Sequence, residues 1–107
     1  MLPPSVRIFV CTVPQDMRRS FDGLALATRQ LLGQDPQSGA LFVFVNKRAN
    51  RAKVLWYERH GYCLLYKRLH RAIFRLPGSL NGQVLQIDGR ALATLLAGMP
   101  RAERLDA

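Results

Sequence analysis

Residues 35–75 constrain the fold more than any other stretch, because they hold successive strand-like runs joined by short polar turns, a pattern that closes as antiparallel hairpins. Residues 40–45, ALFVFV, are apolar at every position, so both faces of that strand need cover. NKRAN, residues 46–50, is a polar turn, and residues 51–59 are the returning strand. His60-Gly61 is expected to close a second hairpin into residues 62–68, with the glycine supplying the positive φ of a two-residue turn. Three antiparallel strands should result.

The rest of the chain supplies support. Residues 6–13 read as a first strand that Pro14 ends, with Asp16 placed to cap a helix over 17–32. Met17, Phe21, Leu24, Thr28 and Leu31 recur at helical spacing, and Gly33 is a suitable stop. Residues 34–39 are a turn-rich connector, and residues 69–77 fit either a short edge strand or an irregular return. A loop over 77–82 precedes a short strand at 84–87. Asp88 then caps a last helix over 89–97, which carries Leu92, Leu95 and Leu96 and which Gly98 and Pro100 stop. The expectation is one α+β domain over 1–107: an antiparallel sheet of about four to five strands on an N-terminal helix, with a short C-terminal helix. Its core spans 5–98, and residues 99–107 are expected to fray.

Charge points to the partner. Sixteen Lys and Arg against seven Asp and Glu give a net charge of +9 and favour a polyanion such as DNA, RNA or acidic lipid. Nine of the basic residues fall within 47–75, where Glu58 is the single acid. No stretch approaches the ~20 apolar residues of a membrane span, the first residues read as a strand rather than a leader, and a cytoplasmic location is expected. Cys11 and Cys63 form no CxxC or Cys/His cluster, so neither a zinc site nor a disulfide framework is expected and both thiols read as buried.

With a five-residue NKRAN loop, Val45 faces Arg51 and Val43 faces Lys53, while Phe42, Phe44, Val54 and Trp56 share the opposite face as a seat for the first helix. With His60-Gly61 as the second loop, Lys53 faces Arg68, Leu55 faces Tyr66 and Tyr57 faces Leu64. A like-charge pair of this kind costs a fraction of ~1 kcal/mol and is relieved by a phosphate between its members. The expected DNA-contacting set is therefore Lys47, Arg48, Arg51, Lys53, Tyr57, Tyr66, Lys67, Arg68 and Arg71, on a sheet face left open by the helix. Single basic residues on a small protein are ordinarily solvated surface, and tyrosines at strand spacing are ordinarily packing; the expectation rests on the cluster. No catalytic residue, cofactor or metal is expected, since His60 sits in a turn and Asp16 and Asp35 serve as cap and turn residues. The enzymatic alternative is a small metal-independent ribonuclease acting through Tyr66, His70 and Arg71.

Three blocks carry a family resemblance: DMRRSFDGL at 16–24, DPQSGALFVFVNKR at 35–48 and GYCLLYKRL at 61–69. In order and spacing they resemble the small TnpB-type accessory protein of the sixty-six family of bacterial insertion sequences, which is distinct from the RNA-guided nucleases that share the TnpB name. The last helix is similar to the leucine-rich helix near the end of those proteins. The resemblance implies a protein encoded beside a larger transposase and needed for transposition, with the element's DNA and its transposase as partners. It supplies no catalytic residues. A structural adaptor that binds the transposase without touching DNA is the alternative, and nothing in the sequence sets an oligomeric state. Where the family often has an acid, a Glu and a Gly, this chain has Asn50, His70 and Ala72, which makes it somewhat more basic.

Overall fold

The computed structural model describes residues 5–76 and 82–100. The loop expected over 77–82 lies outside the described residues except for Gly82, as does the frayed tail expected over 99–107 beyond Pro100. In chain order the elements are β1 (Ile8–Cys11), α1 (Phe21–Leu32), β2 (Leu41–Val45), β3 (Arg51–Glu58), β4 (Gly61–Arg68), β5 (Ala72–Ile73), β6 (Val84–Ile87), α2 (Gly89–Ala97) and β7 (Met99–Pro100). The α+β class is as expected, although a strand precedes the first helix. Five strands form one sheet in the order β4-β3-β2-β1-β6, and β5 pairs with β7 in a separate ribbon.

The sheet is mixed rather than wholly antiparallel. The helix between β1 and β2 carries the chain back to the end from which β1 began, so those two strands run parallel, with Phe9 beside Phe42 and Val10 beside Val43. All residues of β1 and β2 are buried, which accounts for their unbroken apolar runs. Side chains then divide by the two-residue period of the strands. Phe9, Cys11, Phe42, Phe44 and Leu55 face α1, where they meet Leu24, Ala25, Ala27 and Leu32. Ile8, Val10, Leu41, Val43, Val45 and Val54 face the other way, onto Leu92 and Leu95 of α2 and onto Phe74. Each fully buried Phe or Leu contributes about 1.5–3 kcal/mol, so both layers are needed. The open sheet face expected from the sequence is therefore closed, because α2 and the Leu69–Phe74–Leu76 return lay their own apolar side chains on it.

The hairpin registers also differ from expectation. Asn46 N–H donates to Arg51 O at 3.1 Å, which leaves a four-residue loop over 47–50. Asn46 Oδ1 closes it by accepting from the amides of Asn50 and Arg51 at 3.0 and 2.9 Å, and Ala49 takes the left-handed conformation at φ 57°. Phe44 accordingly pairs with Lys53 and Val43 with Val54, one residue from the expected pairing. A one-residue shift reverses faces: Phe42 and Phe44 share their side with Lys53 and Leu55, while Val54 and Trp56 belong to the α2 side. In the second hairpin the turn residues are Arg59 and His60, at φ 49° and 72°, and Gly61 is already paired with Glu58. That two-residue shift keeps the faces but changes partners. Arg51 is opposite Arg68, Lys53 opposite Tyr66 and Tyr57 opposite Tyr62.

Helix α1 begins at Phe21, four residues later than the spacing predicted, and its cap position is Ser20. Asp16 instead closes the preceding turn, accepting from Arg18 N–H at 2.8 Å, while Arg19 N–H donates to Asp16 O at 3.1 Å. The expected stripe is correspondingly shortened: Phe21 is exposed, Leu24 and Thr28 are buried, and Gly33 ends the helix in the left-handed region. Helix α2 follows the sequence closely, with Asp88 Oδ1 accepting from Ala91 N–H at 2.8 Å. Gly98 ends it at φ 79°, and a side chain there would collide with Leu69, whose Cδ1 would lie 2.6 Å from its Cβ. Met99 and Pro100, expected in the frayed tail, pair with Ile73 and Ala72.

Candidate nucleic-acid interface

The basic residues that the sequence grouped together divide between the two sides of the sheet. On the α1 side, Arg51 and Arg68 stand opposite each other at the end of β3 and β4, beside the 47–50 turn. Arg51 Nη1 donates to Tyr66 Oη at 2.8 Å, which uses one of the five guanidinium donors and leaves the others for solvent or ligand. The Tyr66 ring is held from its face as well, by Lys53 Nζ at 4.8 Å from the ring centre, a cation–π contact. Tyr66 is 48% exposed even so, and it forms an anchored aromatic surface next to two arginines.

Lys53 has a structural task. It is only 6% exposed, and its ammonium donates to Met17 O at 2.8 Å and Arg19 O at 2.7 Å. Those carbonyls belong to the segment before α1, which cannot satisfy them within a helix, so the buried ammonium ties that segment to β3. The expected Lys53–Arg68 pair does not exist, and Lys53 is withdrawn from the surface. Lys67 points to the α2 side, where it donates to Leu96 O at 2.7 Å in the last turn of α2, the end of a helix that favours a cation. Tyr57 packs edge-on against Tyr62 at 5.1 Å, at the opposite end of the strip from Arg51. Arg71 is exposed beyond the end of β4, at the start of the β5 return.

Lys53 also fixes the segment ahead of α1 beside β3. Because Lys53 holds this segment, Asp16 and the Arg18 guanidinium paired with it stand beside the 47–50 turn, while the Arg19 side chain runs along α1 against Gly23. Gln15 N–H donates to Val45 O at 2.8 Å and fixes the segment to the end of β2. An open cleft of about 420 Å³ results, lined by Pro14, Gln15, Asp16 and Met17 on one wall and Asn46, Lys47 and Arg48 on the other. Five cations thus collect at one end of the molecule: Arg18, Lys47, Arg48, Arg51 and Arg68.

Asp16 is the acid among them. The Arg18 guanidinium, 2.6 Å from Asp16 Oδ2, holds its carboxyl down at about 2 instead of 3.8. Both partners are well exposed, so the pair orders the turn more than it stabilises the fold. Burial raises the Cys11 thiol, which donates to Val13 O. Cys63 is half-buried, and neither cysteine is in a disulfide. Among the described residues no three His, Cys, Asp or Glu side chains come together as a metal site, and no hydrogen bond joins Tyr66 to His70 or Arg71. No described helix is long and apolar enough to cross a membrane.

A sequence profile for the family described as IS66 Orf2 like protein matches residues 6–105. Two relatives from Sinorhizobium fredii, both described as uncharacterized, are similar over 101 residues. Protein y4hO is 39% identical, with 92% of this chain and 87% of its own length covered, and y4jC is 34% identical, with 92% and 86% covered. No solved structure matches the chain.

Proposed function

The chain belongs to the IS66 Orf2-like family of insertion-sequence proteins, and on that premise we propose that it is a non-catalytic accessory protein of transposition that holds the element's DNA, or the transposase-DNA complex, by the phosphate backbone. The observation that carries this reading is the convergence of Arg18, Lys47, Arg48, Arg51 and Arg68 on one end of the fold around the 47–50 turn, with Tyr66 anchored beside them. Guanidinium and ammonium groups on turns and strand ends suit phosphate oxygens. A strand face of arginine and tyrosine lacks the helix that ordinarily reads base edges in the major groove. Contacts of this kind position a protein on a duplex without choosing a sequence, which fits an accessory role beside a transposase that does choose.

The test is crosslinking of the protein to the ends of its element, with and without the transposase. Crosslinks that map to Arg48, Tyr66 and Arg68 and form without the transposase are expected. Crosslinks absent under both conditions, together with a transposase association that survives nuclease treatment, would replace this reading with that of a structural adaptor.

A further inference from the structure

Strand β4 is an edge of the five-stranded sheet, eight residues or about 27 Å long, and nothing among the described residues pairs with its outer side. Its counterpart β6, at the other edge, has four residues. Natural edge strands are blunted by proline, bulges, inward-pointing charge or a covering element. Of these β4 carries only one, the inward-pointing Lys67 near its end: pairing with β3 runs unbroken from Gly61 to Arg68, the strand has no proline, and its charges are confined to Lys67 and Arg68. Leu65 and Tyr66 project from opposite faces and are 41% and 48% exposed, so neither helix overhangs the edge there.

We infer that β4 is a homodimer interface, joining two copies of this chain edge to edge in an antiparallel, two-fold pair centred on Leu65. The register follows from the hydrogen bonds. Leu69 N–H donates to Asn50 O, so by alternation residues 61, 63, 65 and 67 bond to β3, while the amides and carbonyls of Tyr62, Leu64, Tyr66 and Arg68 point outward. An antiparallel partner must pair those outward groups. With Leu64 opposite Tyr66 and Tyr62 opposite Arg68 of the second copy, the whole length is used and Leu65 meets its own copy in a non-hydrogen-bonded pair, where side chains are closest.

Charge selects this arrangement. A parallel pair would set Arg68 against Arg68, whereas the antiparallel one sets each Arg68 against a Tyr62 ring and each Lys67 against a Cys63, so a strand with cations at one end is complementary to itself only when reversed. The Leu65 pair also joins two apolar clefts, each about 390 Å³ and lined by Val54, Trp56, Leu92 and Leu96. A two-fold axis perpendicular to the sheet places the Arg51, Tyr66 and Arg68 strips of both copies on one face of a ten-stranded sheet, twice the five strands of one copy.

The experiment is sedimentation equilibrium of the nuclease-treated protein, free of nucleic acid, at an ionic strength of about 0.5 M, where a Debye length of roughly 4 Å screens the repulsion between two +9 chains. Twice the 12.1 kDa chain mass is expected, and the chain mass itself for Leu65→Lys, with the circular dichroism of the folded chain unchanged. In a Cys63→Ser background, mild oxidation should crosslink Leu65→Cys into a reducible dimer faster than Leu64→Cys or Tyr66→Cys. A wild-type monomer, a Leu65→Lys dimer, or faster crosslinking through position 64 or 66 would overturn the proposal. Because nucleic acid is absent, that failure would leave the DNA reading untouched.

Discussion

Several charged residues here act on the protein's own backbone. Lys53, in the middle of the basic stretch, is buried on the Met17 and Arg19 carbonyls, so Lys53→Met should destabilise the fold by about 1–3 kcal/mol, the worth of hydrogen bonds to a charged group. Urea unfolding measures that loss. Arg51→Ala should do the reverse, weakening DNA binding while sparing the unfolding midpoint. Asp16 supplies a pH dependence whose sign is set by its low folded pKa, about 2 against 3.8. Its contribution is present above about pH 4 and is lost as pH falls through about 2, so a carbon-detected titration should place the Asp16 midpoint well below 3.8. A midpoint at the ordinary value would mean the Arg18 contact does not form in solution.

At the scale of elements, Asp88 before α2, Gly33 after α1 and the apolar run of β2 were legible because each rests on local chemistry: a cap, a left-handed stop and a doubly buried strand. The registers were not legible, because they turn on which residues occupy the bends. A loop of four or five residues fits NKRAN equally well until the Asn46 side chain is seen to bond Asn50 and Arg51. Gly61 attracted the second turn because glycine is the natural occupant of positive φ, yet Arg59 and His60 take that conformation and Gly61 joins the strand. A non-glycine residue in the left-handed region costs roughly 1 kcal/mol. His60→Gly should therefore raise stability by about 0.5–1 kcal/mol without changing the register, read as a higher urea midpoint at constant slope. A lower midpoint would place the turn elsewhere.

For the molecule as a whole, the sequence revealed how much charge there is and roughly where, but not which side of the sheet it serves. Apolar side chains from α2 and the β5 return cover the face that had been left open, Lys67 faces that side, and the exposed cations gather instead at the end where the 47–50 turn meets the segment before α1. Arg18 joins them, through Asp16, only because the helix begins four residues late and Lys53 holds the freed carbonyls, a tertiary contact that no local pattern encodes. The central claim is that this end binds DNA through phosphates. A titration of a duplex bearing the element's end, from about 50 to 200 mM salt, tests it most directly: four or five phosphate contacts predict a slope of log affinity against log salt of about −4, with about two units lost in Arg51→Ala/Arg68→Ala. Affinity that stays constant across that salt range, or a double variant with the wild-type slope, would contradict it.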